Sequence, residues 1–307
     1  MSPARKVVTD PTMAALPTVR VGLVQQQVSA DRAQNLQRTT QAIRSAAQQG
    51  AQVICTQELF ASHYFCQTHD PKYFEWAAPL DGVAATELRR VAVECQVTIL
   101  GSLFERRSPG LCHNTTLVIG PNGQDLGLYR KMHIPDDPQF EEKYYFAPGD
   151  TGFISVTTPH AKVGPLVCWD QWYPEAARLC ALKGAELLFY PTAIGWLPSE
   201  KATLGAKQLD AWQTIQRSHA IANGVFVIAV NRVGFEPSAA GGIEFWGHSF
   251  VCDPSGSVIA QAGVDEQVLV VDCDLSAIGR QRLDWPFLRD RRIDAYAELT
   301  ARYLGQS

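Results

Sequence analysis

Long apolar runs are missing from this chain of 307 residues. The longest are of the GVFVIAV kind, well short of the roughly 20 residues a membrane-spanning helix needs. A basic excess is missing too. Twenty-seven Lys and Arg stand against 31 Asp and Glu, a formal net charge of -4, so neither nucleic acid nor an anionic membrane surface is an expected partner. The first 17 residues, MSPARKVVTDPTMAALP, lack the continuous apolar core of a signal peptide. They read as a loose N-terminal extension over residues 1–17 on a cytoplasmic protein.

Metal-binding spacing is equally absent. The eight cysteines (Cys55, Cys66, Cys95, Cys112, Cys168, Cys180, Cys252 and Cys273) form no CxxC pair and no His/Cys cluster at zinc spacing. Several sit inside apolar runs, as buried reduced thiols do. NTT at Asn114 matches a glycosylation sequon, but without a secretion signal it reads as a chance match.

What is present is a layered rhythm. TVRVGLVQQ reads as a strand, residues 30–49 as a helix, GAQVICTQELF as a strand entering a loop, TELRRVAVECQ as a helix and VTILGSLFE as a strand. A hairpin follows, with PNG between two apolar strands, and a second hairpin turns at DPSG. Between them the pattern predicts the strand before Cys168, a helix over 174–183, the strand AELLFYPT, a helix around 207–223 and the strand GVFVIAVNR. Two sheets flanked by helices, an α-β-β-α sandwich of the α/β class, accommodate this order. No Pro-, Gly- or Ser-rich linker divides it, so residues 18–307 form one expected domain. Its last segment, RDRRIDAYAELTARYL, reads as a charged helical tail.

Three strands end on reactive side chains. VGPLV stops at Cys168, where a strand gives way to a turn and a helix opens at Pro174. Nucleophiles often occupy such exposed strand-to-turn positions, although a buried cysteine closing a strand has the same pattern. AQVICTQ stops at Glu58 and DLGLYR at Lys131. Parallel strand ends in an α/β sheet gather at one edge, where ligand sites form. Each of the two alone is equally a solvated loop residue; together with a thiol they suggest one site. A thiol needs a base, and histidine is the usual one. Of seven histidines, His133 in YRKMHIP and His248 in WGHSF are the tolerable candidates, with Glu58 the carboxylate alternative.

QELF, YRKMHIP and VCWDQWYPE, in that order, resemble the three catalytic motifs of the carbon-nitrogen hydrolase (nitrilase) superfamily, over about residues 21–290. The resemblance implies an α-β-β-α sandwich with Glu58 as general base, Lys131 as oxyanion stabiliser and Cys168 as nucleophile. It also implies a second glutamate, which falls on Glu142 with Glu141 as the adjacent alternative. A homodimer or larger homo-oligomer and the absence of metal and organic cofactor are implied in the same way. In chemical terms the carboxylate takes the thiol proton, the thiolate attacks a carbonyl carbon, and Lys131 with the Trp169 N–H holds the oxyanion.

The loop HIPDDPQFEEKYYFAPGD, with ELFASHYFCQ and TAIGW, is similar to the branch of that superfamily acting on N-carbamoylputrescine, in the agmatine route to polyamines. Such a substrate joins a neutral carbamoyl head to a distal ammonium. Asp136, Asp137 and Glu200 are the candidate ammonium contacts, and Tyr64, Trp169 and Trp196 the candidate walls for the methylene chain. Loop aspartates are as often turn residues, and aromatics as often core. Alternatives are another amidase of the superfamily (a β-ureidopropionase or ω-amidase, or one acting on a nitrile), a cysteine–histidine hydrolase or acyltransferase, and an inactive binding module.

Overall fold

In β1 (Thr18–Gln25), Val19, Val21 and Leu23 share one face and Val24 takes the other, the two-residue period of a strand buried on both sides. The structure, a computed structural model, describes residues 18–305; the extension expected over 1–17 lies outside them. α1 (Arg32–Gln48) starts at Asp31, whose side chain accepts the Ala33 and Gln34 N–H groups. It is followed by β2 (Val53–Thr56), α2 (Val83–Cys95), β3 (Thr98–Ser108), β4 (Leu111–Ile119) and β5 (Asp125–Arg130). Gly22 lets α1 close onto the sheet: a Cβ there would meet Ala46, Ala51 and Ile54 at 3.1–3.2 Å.

The second half repeats the plan with β6 (Val156–Thr157), β7 (Lys162–Pro165), α3 (Pro174–Leu182), β8 (Leu187–Pro191), β9 (Gly195–Trp196), α4 (Pro198–Asn223) and β10 (Phe226–Val230). Then come β11 (Val233–Glu236), β12 (Ile243–Trp246), β13 (Phe250–Cys252), β14 (Val258–Gln261), β15 (Gln267–Asp274) and α5 (Ser276–Asp284). One six-stranded sheet runs β15-β1-β2-β3-β4-β5, another β14-β13-β10-β8-β7-β6, and a small one β11-β12-β9. Each large sheet has a parallel centre, β1-β2-β3 in the first and β7-β8-β10 in the second.

Three apolar clusters order the layers. Val21, Val53 and Leu100 of the first sheet meet Val163, Phe189 and Ile228 of the second. On its outer face the first sheet offers Ile54 and Ile99 to Ile43 and Leu88 of α1 and α2. Leu188 and Val227 of the second meet Cys180 of α3 and Trp212 of α4. The result is the expected α-β-β-α sandwich. Burying an aliphatic side chain contributes about 1.5–3 kcal/mol, so these faces fix the stacking.

Two expectations change. α4 begins at Pro198, nine residues before the helix expected from about 207. Proline suits the first helical position, but the opening turns are largely exposed and carry no apolar period to read. The C-terminal segment is not the expected charged helix: residues 289–304 hold only two 3-10 turns, Ile293–Ala295 and Ala297–Thr300, neither with a buried residue. A short helix in water needs a packed face to persist, and Ile293 and Leu299 have none here, being 73% and 67% exposed.

Candidate active site

Of Glu58, Lys131 and Cys168, two follow strands of the parallel centres, β2 and β7, and the third follows the antiparallel edge strand β5. Glu58 follows β2, Lys131 follows β5, and Cys168 lies three residues past β7. Val167 is extended and Cys168 then turns to φ 39°, starting a 3-10 turn that runs to Trp172 before Pro174 opens α3. A non-glycine residue in that left-handed region costs about 1–3 kcal/mol and persists only where its surroundings fix it. Asp170 does the fixing. Its buried carboxylate accepts the Val167 N–H at 3.0 Å and the Tyr129 hydroxyl at 2.8 Å on one oxygen. The other oxygen accepts the His133 N–H at 3.1 Å, with His133 Nδ1 at 2.8 Å. The cysteine turn and the segment after Lys131 are thereby held by one side chain.

Lys131 is fully buried and donates to Glu58 Oε1 at 2.9 Å and to Glu142 Oε2 at 2.6 Å. The two carboxylates are not equivalent. Glu142 has both oxygens engaged, the second by the Tyr64 hydroxyl at 2.7 Å. Glu58 receives Lys131 and the Asn114 amide (2.7 Å) on the same oxygen, and its Oε2, equally buried, has no hydrogen-bond partner in the protein. Glu141, the neighbouring alternative for the second glutamate, instead faces His69 at 3.0 Å.

The charges interact strongly. Burial alone would pull the Lys131 ammonium down, but the Glu142 and Glu58 carboxylates hold it well above the usual lysine range. Burial pushes the Glu142 carboxyl up to about 7 against the lowering pull of Lys131. Burial and then the Glu58 charge push the Cys168 thiol well above the usual thiol range, with Lys131 opposing. A neutral thiol needs a proton acceptor before it can attack, and Glu58 Oε2 is a buried carboxylate oxygen without a partner.

Cys168 opens into a cavity of about 420 Å³. Phe140, Trp172 and Trp246 give it apolar walls, Trp169 flanks the cysteine, and its charged lining residues, Asp137, Glu142 and Glu200, are all acidic. Asp137, Glu200 and Trp169 thus line the cavity that Cys168 opens into. Asp136, Tyr64 and Trp196 do not. Asp136 is exposed, as is its neighbour Asp137, but it is absent from the lining and lies 3.9 Å from Lys143. Tyr64 lies behind the carboxylates as a hydrogen-bond donor to Glu142 rather than a wall. Trp196 gives its indole N–H to the Gly205 carbonyl at 3.0 Å and packs on Trp246, so it supports a wall from outside. Neither candidate histidine lines the cavity: His133 stacks on Tyr173 at 3.6 Å and His248 bonds to the Trp246 carbonyl.

Sequence reasoning missed Asn114, Asp170, Phe140, Trp172 and Trp246. Asn114 had one legible signal, an amide inside an otherwise strand-like run, LCHNTTLVI; it is wholly buried, not a surface sequon. Among the described residues no group of His, Cys, Asp and Glu is arranged to hold a metal ion, all eight cysteines are free, and no helix is long and apolar enough to cross a membrane.

Residues 20–283 match the carbon-nitrogen hydrolase family. N-carbamoylputrescine amidase of Solanum lycopersicum is 43% identical over 287 residues, covering 92% of this chain and 94% of that protein. Citrullinase of Francisella tularensis is 38% identical over 286 residues, covering 93% and 99%. Among solved structures, a carbon-nitrogen hydrolase from Helicobacter pylori G27 aligns with a TM-score of 0.91 at 44% identity, over 94% of this chain and 100% of that one. An amidase from Nesterenkonia sp., carrying an acetamide moiety covalently added at its active-site cysteine, aligns with a TM-score of 0.71 at 26% identity, over 95% and 98%.

Proposed function

The chain belongs to the carbon-nitrogen hydrolase family, and from that premise we propose that it hydrolyses N-carbamoylputrescine to putrescine, carbon dioxide and ammonia, with Cys168 as nucleophile. Glu58 takes the thiol proton on its free oxygen as sulfur bonds to the ureido carbon. The carbonyl electrons move to oxygen, where Lys131 uses the N–H not committed to the two carboxylates, joined by the Trp169 N–H in the first turn after Cys168. One such donor lowers the barrier by about 3 kcal/mol. Collapse breaks a C–N bond, and protonated Glu58 returns its proton to the departing nitrogen, which cannot leave as an anion. Water, deprotonated by the same carboxylate, then cleaves the acyl-cysteine; decarboxylation of the carbamate completes the balance. Glu142 compensates Lys131 and fixes its direction.

The observation that carries the substrate is the charge of the cavity. Cys168 shares its cavity with Asp137, Glu142 and Glu200, and no lysine or arginine lines it. A distal ammonium is attracted there by charge-assisted hydrogen bonds, and a distal carboxylate is repelled. The names of the tomato relative and of its counterparts in Solanum tuberosum and Arabidopsis thaliana agree with this reading, which would place the chain in the agmatine route to polyamines.

The test is ammonia release from a matched panel: carbamoylputrescine, carbamoyl-β-alanine, citrulline and a neutral alkylurea. Carbamoylputrescine should have the highest kcat/KM; preference for either carboxylate-bearing compound would reject the assignment. A reducing, cytoplasmic setting fits the eight free thiols. The exposed Leu283, Ile293, Leu299 and Tyr303 offer an apolar surface for a homodimer or larger assembly, which sedimentation measures.

A further inference from the structure

Behind the site lies an ion pair that the sequence motifs do not include. β10 ends at Val230, and the next two residues are wholly buried. Arg232 donates from NH1 to Glu236 Oε1 at 2.6 Å and to the Ser62 carbonyl at 3.4 Å. From NH2 it donates to the carbonyls of Glu58 at 2.8 Å and Leu59 at 3.1 Å. Its guanidinium carbon lies 5.1 Å from the Phe245 ring centre and 5.9 Å from that of Tyr64. The other Glu236 oxygen accepts the Tyr64 N–H at 2.6 Å, and the Tyr64 hydroxyl donates to Glu142. One buried pair thus reaches both carboxylates that flank Lys131, the first through its own carbonyl and the second through a tyrosine.

The backbone it grips is strained. Leu59, directly after Glu58, has φ 48°, a conformation a leucine does not favour. The converging carbonyls of residues 58 and 59 are what the planar fork of an arginine can serve and a lysine cannot. Stability gives a weak reason for such an arrangement, because well-packed apolar residues of similar volume often replace a buried ion pair without loss. Geometry gives a stronger one. Asn231 acts in the same way on the opposite wall, accepting the Ile194 N–H at 3.0 Å and donating to the Ile194 and Gly247 carbonyls. Ile194 lines the cavity.

We propose that Arg232 and Glu236 are positioning residues for the reaction: anchored just past β10 of the second sheet and at the end of β11 in the small one, they set the Glu58 carboxylate against the Cys168 thiol and, through Tyr64, set Glu142 against Lys131. This rests on the reading of Glu58 as the base. It does not rest on the identity of the substrate.

The experiment compares wild type with Arg232→Lys, Glu236→Gln and the uncharged pair R232M/E236L, measuring thermal midpoint, kcat and KM, and the pH dependence of Cys168 alkylation by iodoacetamide. Misplacing a reacting group by about 1 Å costs on the order of 100-fold. The single variants should therefore lose about that factor in kcat while KM moves less than about threefold. The uncharged pair should melt near the wild-type midpoint yet keep the kcat loss and the slowed alkylation. If it recovers both wild-type kcat and wild-type alkylation, the pair is structural only and the proposal falls. It falls too if Glu58→Gln leaves alkylation unchanged while Arg232→Lys slows it, since the pair would then not act through Glu58. Failure of the substrate reading shows differently: wild type would ignore carbamoylputrescine, and the alkylation comparison would still decide the role of the pair.

Discussion

The Asn114 amide and the Lys131 ammonium both donate to the same oxygen of Glu58, at 2.7 and 2.9 Å, and leave the other oxygen of that carboxylate without a partner. Two donors on one atom orient the carboxylate and leave its second oxygen free, as the proposed reaction requires of a base for the thiol. A general base of this kind contributes about 10²–10⁴-fold. Glu58→Gln should keep the fold, since glutamine can still accept from Asn114 and Lys131, and should lower kcat by about 10³-fold. A mechanism based on His133 would show that loss in His133→Ala and leave Glu58→Gln active, so ammonia release from the two variants separates them.

The turn at Cys168 carries strain that the chemistry requires and stability does not. With φ at 39°, glycine relieves the strain that alanine retains. Cys168→Ala and Cys168→Gly should both be inactive. The glycine variant should melt higher than the alanine variant, by about 1–2 degrees for a difference of about 1 kcal/mol. Calorimetry that placed the glycine variant below the alanine variant would mean that the turn is not strained.

These residues also show what the sequence made legible. Glu58, Lys131 and Cys168 each lie within three residues of a strand end, so a strand pattern with a polar stop marks them as candidates, and the resemblance gives them order. The sandwich followed from the same periods, because each strand writes its burial into its own residues. Asp170 and Arg232 left no such trace. Asp170 sits inside a motif dominated by Cys168, and its four contacts go to three residues, Tyr129, His133 and Val167, from two separate stretches of chain. Arg232 follows a strand as any solvated arginine might, and only the meeting of the two sheets places the carbonyls of Glu58 and Leu59 against it. Tyr64, Asp136 and Trp196 stay off the lining for one reason: the sequence says which side chains are near a site, but not which way the backbone turns them.

Glu142 provides a pH handle. Its carboxyl is raised from an ordinary 4.5 to about 7 by burial, and the Tyr64 hydroxyl works in the lowering direction. The folded protein therefore holds a proton between those values that the unfolded chain releases, so this group's contribution to stability falls as pH rises through that window. Activity runs the other way, because ionised Glu142 is what balances Lys131. kcat/KM should decline on the acid side of about 7. Tyr64→Phe removes a bond that favours the ionised form, so the acid limb should move to higher pH. A pH–rate profile in which the limb stays in place or moves lower would separate Glu142 from that titration.

Asp137 and Glu200 share the cavity with Cys168, whereas Asp136 points to solvent near Lys143. Glu200 is further ordered by the Gln208 amide at 3.1 Å, in the first turn of α4, so it stands at a fixed point of the wall. A charge-assisted contact to an ammonium contributes about 1.5–3 kcal/mol, or roughly tenfold to a hundredfold in binding. Asp137→Asn and Glu200→Gln should raise KM for carbamoylputrescine by about tenfold, leave kcat within about threefold, and barely change KM for an uncharged alkylurea, which has no group for either carboxylate. Asp136→Asn should affect neither substrate. Equal KM changes for the charged and uncharged compounds would mean that these carboxylates shape the cavity without meeting an ammonium, and the preference for a cationic substrate would then need another origin.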